Sequence, residues 1–289
     1  MAENNIKMTL SPRQTLDGQR VRRISGSAMT IATWNVKSIY CTYKMVNIER
    51  EMLRLKINIL GVSESRHQGT GILVRDDTVV YYSGNNDKNH YNGVAVIISR
   101  HLHHQVHSFL PISDRVLVLE LKAKPRNIQI VQVYAPTANA TDEDNELFYE
   151  QVETALKYPN PHNIILVQGD FNAKIGEGKV SDIVGSFGLG KRNDRGDRFL
   201  QFCEEHGLII SNTHFKQPPR RLYTWSSPLH SLKKIVRNQI DYILINRRYR
   251  NSLTSVKTYP GADIGTDHNP VVASVRCNMK ILKPRSKRQ

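Results

Sequence analysis

Val116-Leu117-Val118-Leu119-Glu120-Leu121, a connection containing Lys124-Pro125-Arg126, and then Ile128-Gln129-Ile130-Val131-Gln132-Val133-Tyr134 form the stretch that decides the architecture. Both flanking runs are dense in β-branched and long apolar residues, as strands are. The turn between them leaves no room for a helix, so the two runs predict an antiparallel hairpin. That hairpin argues against a purely parallel βαβ array. It favours antiparallel or mixed sheets with helices outside, two sheets packing face to face.

Working outward from the hairpin, further apolar strand candidates are Ile31–Trp34, Ile57–Val62, Val94–Ile98, Ile164–Gln168, Ile240–Ile245 and Val271–Val275. Helix candidates are Tyr43–Leu55, Asp142–Tyr158 and Gly196–His206. The second follows Thr141, an N-cap residue type, and carries Asp142, Glu143 and Asp144 in its first turn, where negative charge suits the helix dipole. No internal repeat or low-complexity linker divides the chain, so one domain is expected over residues 29–277. Residues 1–28 read as a flexible basic leader, and residues 278–289 as a basic tail.

The 289 residues carry a formal net charge of +15, which favours polyanionic partners, chiefly nucleic acid or an anionic membrane surface. The three cysteines, Cys41, Cys203 and Cys277, are widely spaced and suit neither a disulfide framework nor a zinc cluster. Reduced thiols in the nucleus, or alternatively the cytoplasm, are expected. No stretch is apolar enough to cross a bilayer. The tail residues Lys283, Arg285, Lys287 and Arg288 read either as a nuclear-import signal or as a solubilising end.

Polar residues cluster directly after the strand candidates, where ligands bind in open α/β sheets. The segments are Thr33-Trp34-Asn35, Val62-Ser63-Glu64, Val133-Tyr134-Ala135-Pro136, Gly169-Asp170-Phe171-Asn172, Gln239-Ile240-Asp241-Tyr242 and Gly265-Thr266-Asp267-His268. Glu64, Asn35 and Asp267 offer hard oxygen ligands suited to Mg²⁺, or to Mn²⁺, rather than zinc. Asp170 can orient or deprotonate a water, and Asn172 can bond phosphoryl oxygens. His268 can donate to phosphate, Asp241 can fix its tautomer and keep it charged, and Tyr134 adds a neutral donor. The set suits phosphodiester hydrolysis. Each segment alone also has a plain structural reading: Gly169–Asn172 as a strand-terminating turn, Asp267-His268 as a cap or turn. Trp34 and Trp225 read as core or shelf residues, with Trp225 also a candidate substrate contact. His101, His103, His104 and His107 read as a polar surface loop rather than a metal cluster.

From about Thr30 to Arg276 the chain resembles the endonuclease/exonuclease/phosphatase superfamily, with Gly-Asp-Phe-Asn followed much later by Asp-His as its most specific signature. Within it, Asn193-Asp194-Arg195-Gly196, Asn212-Thr213-His214-Phe215, Tyr223-Thr224-Trp225 and Asn238-Gln239-Ile240-Asp241-Tyr242 are similar to the endonuclease domain of RTE-type non-LTR retrotransposons. The resemblance implies a four-layer α/β/β/α sandwich of two mixed β-sheets, DNase I-like, with the site at one edge of the sheets. It places Glu64, Asn35 and Asp267 at the metal and gives Asp170 the attacking water. Asn172 and Tyr134 take the phosphate, and Asp241 supports His268. It also brings Asn193 and Arg195 to DNA. Thr266 stands where the family usually has Ser, and Ser63 where many relatives have Gln. No reverse transcriptase follows the domain, which fits a domesticated host protein, a fragment of an element or an excised domain.

The motifs with the basic charge point to an Mg²⁺-dependent DNA endonuclease that leaves a 3′-hydroxyl nick, with no small-molecule cofactor. A phosphomonoesterase or head-group hydrolase would not need so basic a surface. A domesticated nucleic-acid-binding protein, its nuclease lost or unused, is the alternative from another class.

Overall fold

A computed structural model describes residues 28–86, 92–124, 126–158, 162–228 and 235–276, with strand positions 278–279. The basic leader, Cys277 and the tail cations lie outside the described residues.

In chain order, β1 (Ala28–Asn35) leads through α1 (Thr42–Arg54) to β2 (Ile59–Ser63). Then come β3 (Thr70–Val74), β4 (Thr78–Ser83), β5 (Val94–Ser99), β6 (Val106–Pro111), β7 (Val116–Leu121) and the short β8 (Ala123–Lys124). Next, β9 (Ile128–Tyr134) leads through α2 (Asp142–Lys157) to β10 (Ile164–Asp170), and α3 (Asp194–Glu205) follows. The chain continues with β11 (Leu208–Ile210), β12 (Trp225–Ser226), β13 (Arg237–Asn238), β14 (Asp241–Asn246), β15 (Leu253–Thr258), β16 (Val271–Arg276) and β17 (Asn278–Met279).

The expected hairpin is present: β7 pairs antiparallel with β9 from Val116↔Val133 to Leu121↔Ile128. It belongs to a sheet in the order β11-β14-β10-β9-β7-β6, which faces a second sheet in the order β15-β16-β1-β2-β5-β4-β3. Each sheet is mixed, with a parallel pair among antiparallel neighbours: β1 with β2, and β9 with β10. Each parallel pair is joined by a helix, since a parallel return needs a crossover. The fold is a DNase I-like four-layer α/β/β/α sandwich.

Three apolar clusters glue the layers. Between the sheets lie the inward residues of alternate strand positions, such as Ile31, Ile59, Val96, Leu119, Ile130, Leu166 and Ile243. Outside one sheet, α1 seats Met45, Ile48 and Met52 on Ala32, Trp34 and Leu60. Outside the other, Phe148 and Val152 of α2 and Phe199 and Phe202 of α3 cover Val131, Val167 and Leu244. That spacing gives each helix one apolar stripe, which it buries against its sheet. As read from the sequence, Thr141 caps α2, its Oγ1 accepting from Asp144 N at 3.1 Å. Trp34 is fully buried core.

The histidine-rich segment, expected as a loop, is a short 3-10 helix, Arg100–Gln105, that carries His101, His103 and His104, while His107 lies on β6; His103 Nδ1 lies 2.7 Å from Tyr81 Oη. Cys41 and Cys203 are free thiols. Among the described residues no helix is long and apolar enough to cross a membrane.

Candidate active site

The two-residue period of the strands builds the site. On β1 the face toward the other sheet reads Met29, Ile31, Thr33, Asn35; on β9 it reads Ile128, Ile130, Gln132, Tyr134; on β10, Ile164, Leu166, Gln168, Asp170. Each strand therefore runs from apolar to polar at its C-terminal end. β14 runs the opposite way and contributes Asp241 from its first position. Register brings these ends together: Asp170 lies between Tyr134 and Asp241, and Asn35 beside Ser63.

Beneath the carboxylates, a buried polar belt bridges the sheets. Gln132 Nε2 donates to Ser63 Oγ at 3.1 Å, and Gln168 Nε2 donates to Ala32 O at 3.0 Å. Ser63 Oγ in turn donates to Val133 O at 2.9 Å and accepts from Asp170 N at 3.3 Å. Ser63, at the position where many relatives have Gln, is thus a tie from one sheet to the backbone of Asp170. Gly61 leaves room for this belt, since a β-carbon there would displace the Gln132 and Gln168 side chains.

Above the belt, His268 Nδ1 lies 2.9 Å from Asp241 Oδ2, and its Nε2 stands 3.9 Å from both Asp170 Oδ2 and Asp267 Oδ1. Asp170 accepts from Asn35 Nδ2 at 3.0 Å on Oδ2 and from Asn172 N at 3.0 Å on Oδ1. Asn35 Nδ2 also reaches Glu64 Oε1 at 2.9 Å, and Tyr134 Oη donates to the same oxygen at 3.2 Å. Trp225 Nε1 donates to Asp267 Oδ2 at 3.0 Å. Thr266 Oγ1 donates to Asn35 O at 2.9 Å and accepts from His268 N at 3.3 Å, so the hydroxyl retained at this position staples the last loop to β1.

Burial pushes the Asp170 carboxyl up to about 7, with the Asp241 charge adding to it and His268 and Asn35 opposing. For His268, burial pulls the pKa down, but Asp241 outweighs it by charge and hydrogen bond, holding the imidazole up at about 9. Burial works against ionised Asp267 too, yet Lys37, His268 and Trp225 bring its pKa below the ordinary carboxylate value. Burial also drives the Tyr134 hydroxyl well above its usual range, so it serves as a neutral donor.

Of the residues read from the sequence, the structure brings together Asn35, Glu64, Tyr134, Asp170, Asp241, Asp267, His268 and Trp225. Asn172 adjoins them through its backbone, while its Nδ2 donates to Ala135 O at 3.0 Å. Asn193 and Arg195 make scaffold contacts. Asn193 caps α3, its Oδ1 accepting from Gly196 N and Lys174 N, because a helix N-terminus needs that acceptor. Arg195 donates to Ala140 O at 2.7 Å and pairs with Asp142, tying α3 to the start of α2. The sequence reading passed over Lys37, Lys44 and Arg66. Lys37 pairs with Asp267 and Arg66 with Glu64, and Lys44 Nζ approaches Lys37 O. Their signal was positional: Lys37 and Arg66 each stand two residues past a strand-end ligand.

Hard oxygens suited to a divalent ion are present in Glu64 and Asp267, and Asp267 Oδ1 is buried with no hydrogen-bond donor among the described residues. Such an oxygen is costly to bury alone and fits a cation. The tightest grouping of ligand-type atoms is a different one, Asp170, Asp241 and His268, within 4.8 Å of one another. In that grouping the closest contact is internal, between His268 and Asp241. Backbone strain concentrates at the same edge: Lys37, Ser38, Glu64, Arg66 and Asn172 all have positive φ.

The profile of the endonuclease/exonuclease/phosphatase family matches residues 32–268, which run from β1 to the site histidine. The chain belongs to that family. Over 252 residues it is 40% identical to craniofacial development protein 2 of Bos taurus, covering 87% of this chain and 42% of the relative. It therefore spans about two-fifths of that relative's length. Among solved structures, the Xenopus laevis APE2 catalytic domain superposes with a TM-score of 0.66 at 17% identity, covering 89% of this chain and 94% of that one. The endonuclease domain of TRAS1, a telomere-specific non-LTR retrotransposon, gives 0.60 at 15% identity, covering 88% and 100%. These two likenesses concern the fold. Family membership supports hydrolase chemistry of the nuclease and phosphatase kind.

Proposed function

We propose that this protein is an Mg²⁺-dependent DNA endonuclease, retrotransposon-derived and acting in the nucleus, that leaves a 3′-hydroxyl nick. The observation that carries the reading is the linked set Asp241–His268–Asp170–Asn35–Glu64, in which a cationic imidazole stands 3.9 Å from a carboxylate poised near neutrality.

In this reading Asp170 takes a proton from water as the water oxygen bonds to phosphorus. The bond from phosphorus to the 3′ oxygen breaks, its electron pair staying on that oxygen, which takes a proton from solvent to leave a 3′-hydroxyl beside a 5′-phosphate. A carboxyl with pKa about 7 is matched to accept a proton near neutral pH. His268, held charged by Asp241, donates to a phosphoryl oxygen, and Tyr134 offers a second, neutral donor. Glu64 and Asp267 would hold Mg²⁺, or Mn²⁺, with Asn35 orienting Glu64. The ion would neutralise charge on the phosphate and the departing oxygen. The +15 charge supplies sequence-independent affinity for the DNA backbone and disfavours a phosphomonoesterase.

Nicking of supercoiled plasmid with Mg²⁺, beside EDTA and Asp170→Ala controls, tests the proposal. Metal-dependent nicking lost in Asp170→Ala supports it. Salt-sensitive DNA binding with no nicking would replace it with a non-catalytic nucleic-acid-binding role.

A further inference from the structure

Two ion pairs tie the acidic side of the cleft to cations of the same chain. Lys37 Nζ lies 2.9 Å from Asp267 Oδ2, and Arg66 Nη2 lies 2.8 Å from Glu64 Oε2. The carboxylate partners are only 13% and 12% exposed, whereas the cations are 39% and 40% exposed, so each cation reaches down from the surface onto a mostly buried acid. These are not loosely held surface pairs. Lys37, Glu64 and Arg66 all adopt left-handed backbone, with φ of 52°, 54° and 52°. Non-glycine residues keep that conformation only where their surroundings enforce it. Here Ser38 N donates to Glu64 O at 2.7 Å, Ile39 N to Ser65 O at 2.9 Å and Arg66 N to Asn92 O at 2.9 Å. The loops after β1 and β2 are clamped together, and they present both cations to the same acids that offer hard ligands.

Each side of this arrangement also keeps an unmet valence. Asp267 Oδ1 is a buried acceptor without a donor, and Arg66 Nε is a buried donor without an acceptor among the described residues. An orphan acceptor calls for a cation and an orphan donor for an anionic oxygen. A divalent ion drawn to Glu64 and Asp267 competes with Lys37 and Arg66 for their oxygens. Each displaced cation then needs a new anion, since a desolvated charge without a partner is costly. With DNA bound, a phosphate offers such an anion.

Resting on the nuclease reading above, we propose that Lys37 and Arg66 are exchangeable counter-ions. They neutralise Asp267 and Glu64 in the absence of a divalent ion and move onto the oxygens of a DNA phosphate when one binds. They are then phosphate-positioning residues whose availability is set by the metal. Metal and DNA binding must strengthen each other, and by linkage the gain is the same in both directions.

The test is calorimetric titration of Mn²⁺ alone into the full chain and into Lys37→Met and Arg66→Met, followed by binding of a short duplex in Ca²⁺ and in EDTA. Lys37→Arg keeps the charge, and Lys157→Met removes a cation at the far end of α2. Exchange predicts that Lys37→Met and Arg66→Met bind Mn²⁺ severalfold more tightly than wild type without DNA, yet lose about tenfold in duplex affinity in Ca²⁺. Wild type and Lys37→Arg should gain severalfold more Mn²⁺ affinity on addition of duplex than the double Met variant does; an equal gain overturns the exchange. Unchanged or weaker Mn²⁺ binding by the Met variants overturns the exchange, as does an equal loss of duplex affinity in Lys157→Met. The outcome is separable from the nuclease reading: wild type that shows the exchange but nicks no plasmid sinks that reading alone.

Discussion

Replacing Asp170 with asparagine should remove the chemistry and, above neutral pH, stabilise the fold. Asp170 is 1% exposed, and burial with the neighbouring Asp241 charge raises its carboxyl to about 7. An unfolded Asp titrates near 3.8. A group whose folded pKa is raised binds a proton on folding, so its stabilising contribution is complete below about 3.8 and is lost as pH rises through about 7. At pH 8 the ionised side chain therefore costs the native state on the order of a few kcal/mol. Asparagine removes that cost but brings one of its own. Both carboxylate oxygens accept bonds, from Asn35 Nδ2 and Asn172 N, and an amide offers a single acceptor, so one donor faces another at about 1–3 kcal/mol. The balance favours Asp170→Asn by about 1 kcal/mol at pH 8, or a rise of about 2–4 °C in Tm. Thermal unfolding of both proteins in EDTA from pH 8 down to pH 4 reads this directly. The advantage of the variant should shrink as pH falls through 7 and reverse near pH 4. A difference that does not change with pH, or a variant less stable at pH 8 than at pH 5 relative to wild type, would refute a strained Asp170.

His268→Ala should lower nicking at least about a hundredfold, because it removes the phosphate donor. In Asp241→Asn the imidazole loses the partner that holds it up, so its NMR titration should move from about 9 toward neutrality; no movement would unlink the pair. Thr266→Ser should nick like wild type, whereas Thr266→Val should lose about tenfold or more, since only a hydroxyl can join Asn35 O to His268 N. Away from the site, burial works against the Glu49 carboxylate, but bonds from Arg75 and Thr78 hold its pKa below the ordinary value. Its stabilisation is present above about pH 4.5 and lost as pH falls further. Glu49→Gln should accordingly cost about 1 kcal/mol in urea unfolding at pH 7 and much less at pH 3, with a constant cost counting against the ion pair.

The strands that the sequence left unread are mostly the edges. β3, β6, β11 and β15 end the two sheets, and β4 lies next to β3. A central strand buries both faces and reads as a continuous apolar run, as β7, β9 and β10 do. An edge strand pairs on one side only and carries exposed or polar positions, as in Thr70–Val74, so its signal fades into that of a loop. The β4 run Val79-Val80-Tyr81 was legible and passed over.

Chain order by itself determined the hairpin, the apolar runs of the central strands and the placing of Asn35, Glu64, Tyr134, Asp170, Asp241 and His268 at strand ends. Those are local properties of periodicity and of residue chemistry. Whether such ends meet depends on register and on which sheets face each other, and only tertiary structure decides that. It set Tyr134, Asp170 and Asp241 side by side, and it turned Asn193 and Arg195 into braces for helix ends. It also laid Lys37 on Asp267, from two loops far apart in the chain, whereas Arg66 meets Glu64 only two residues away within one loop.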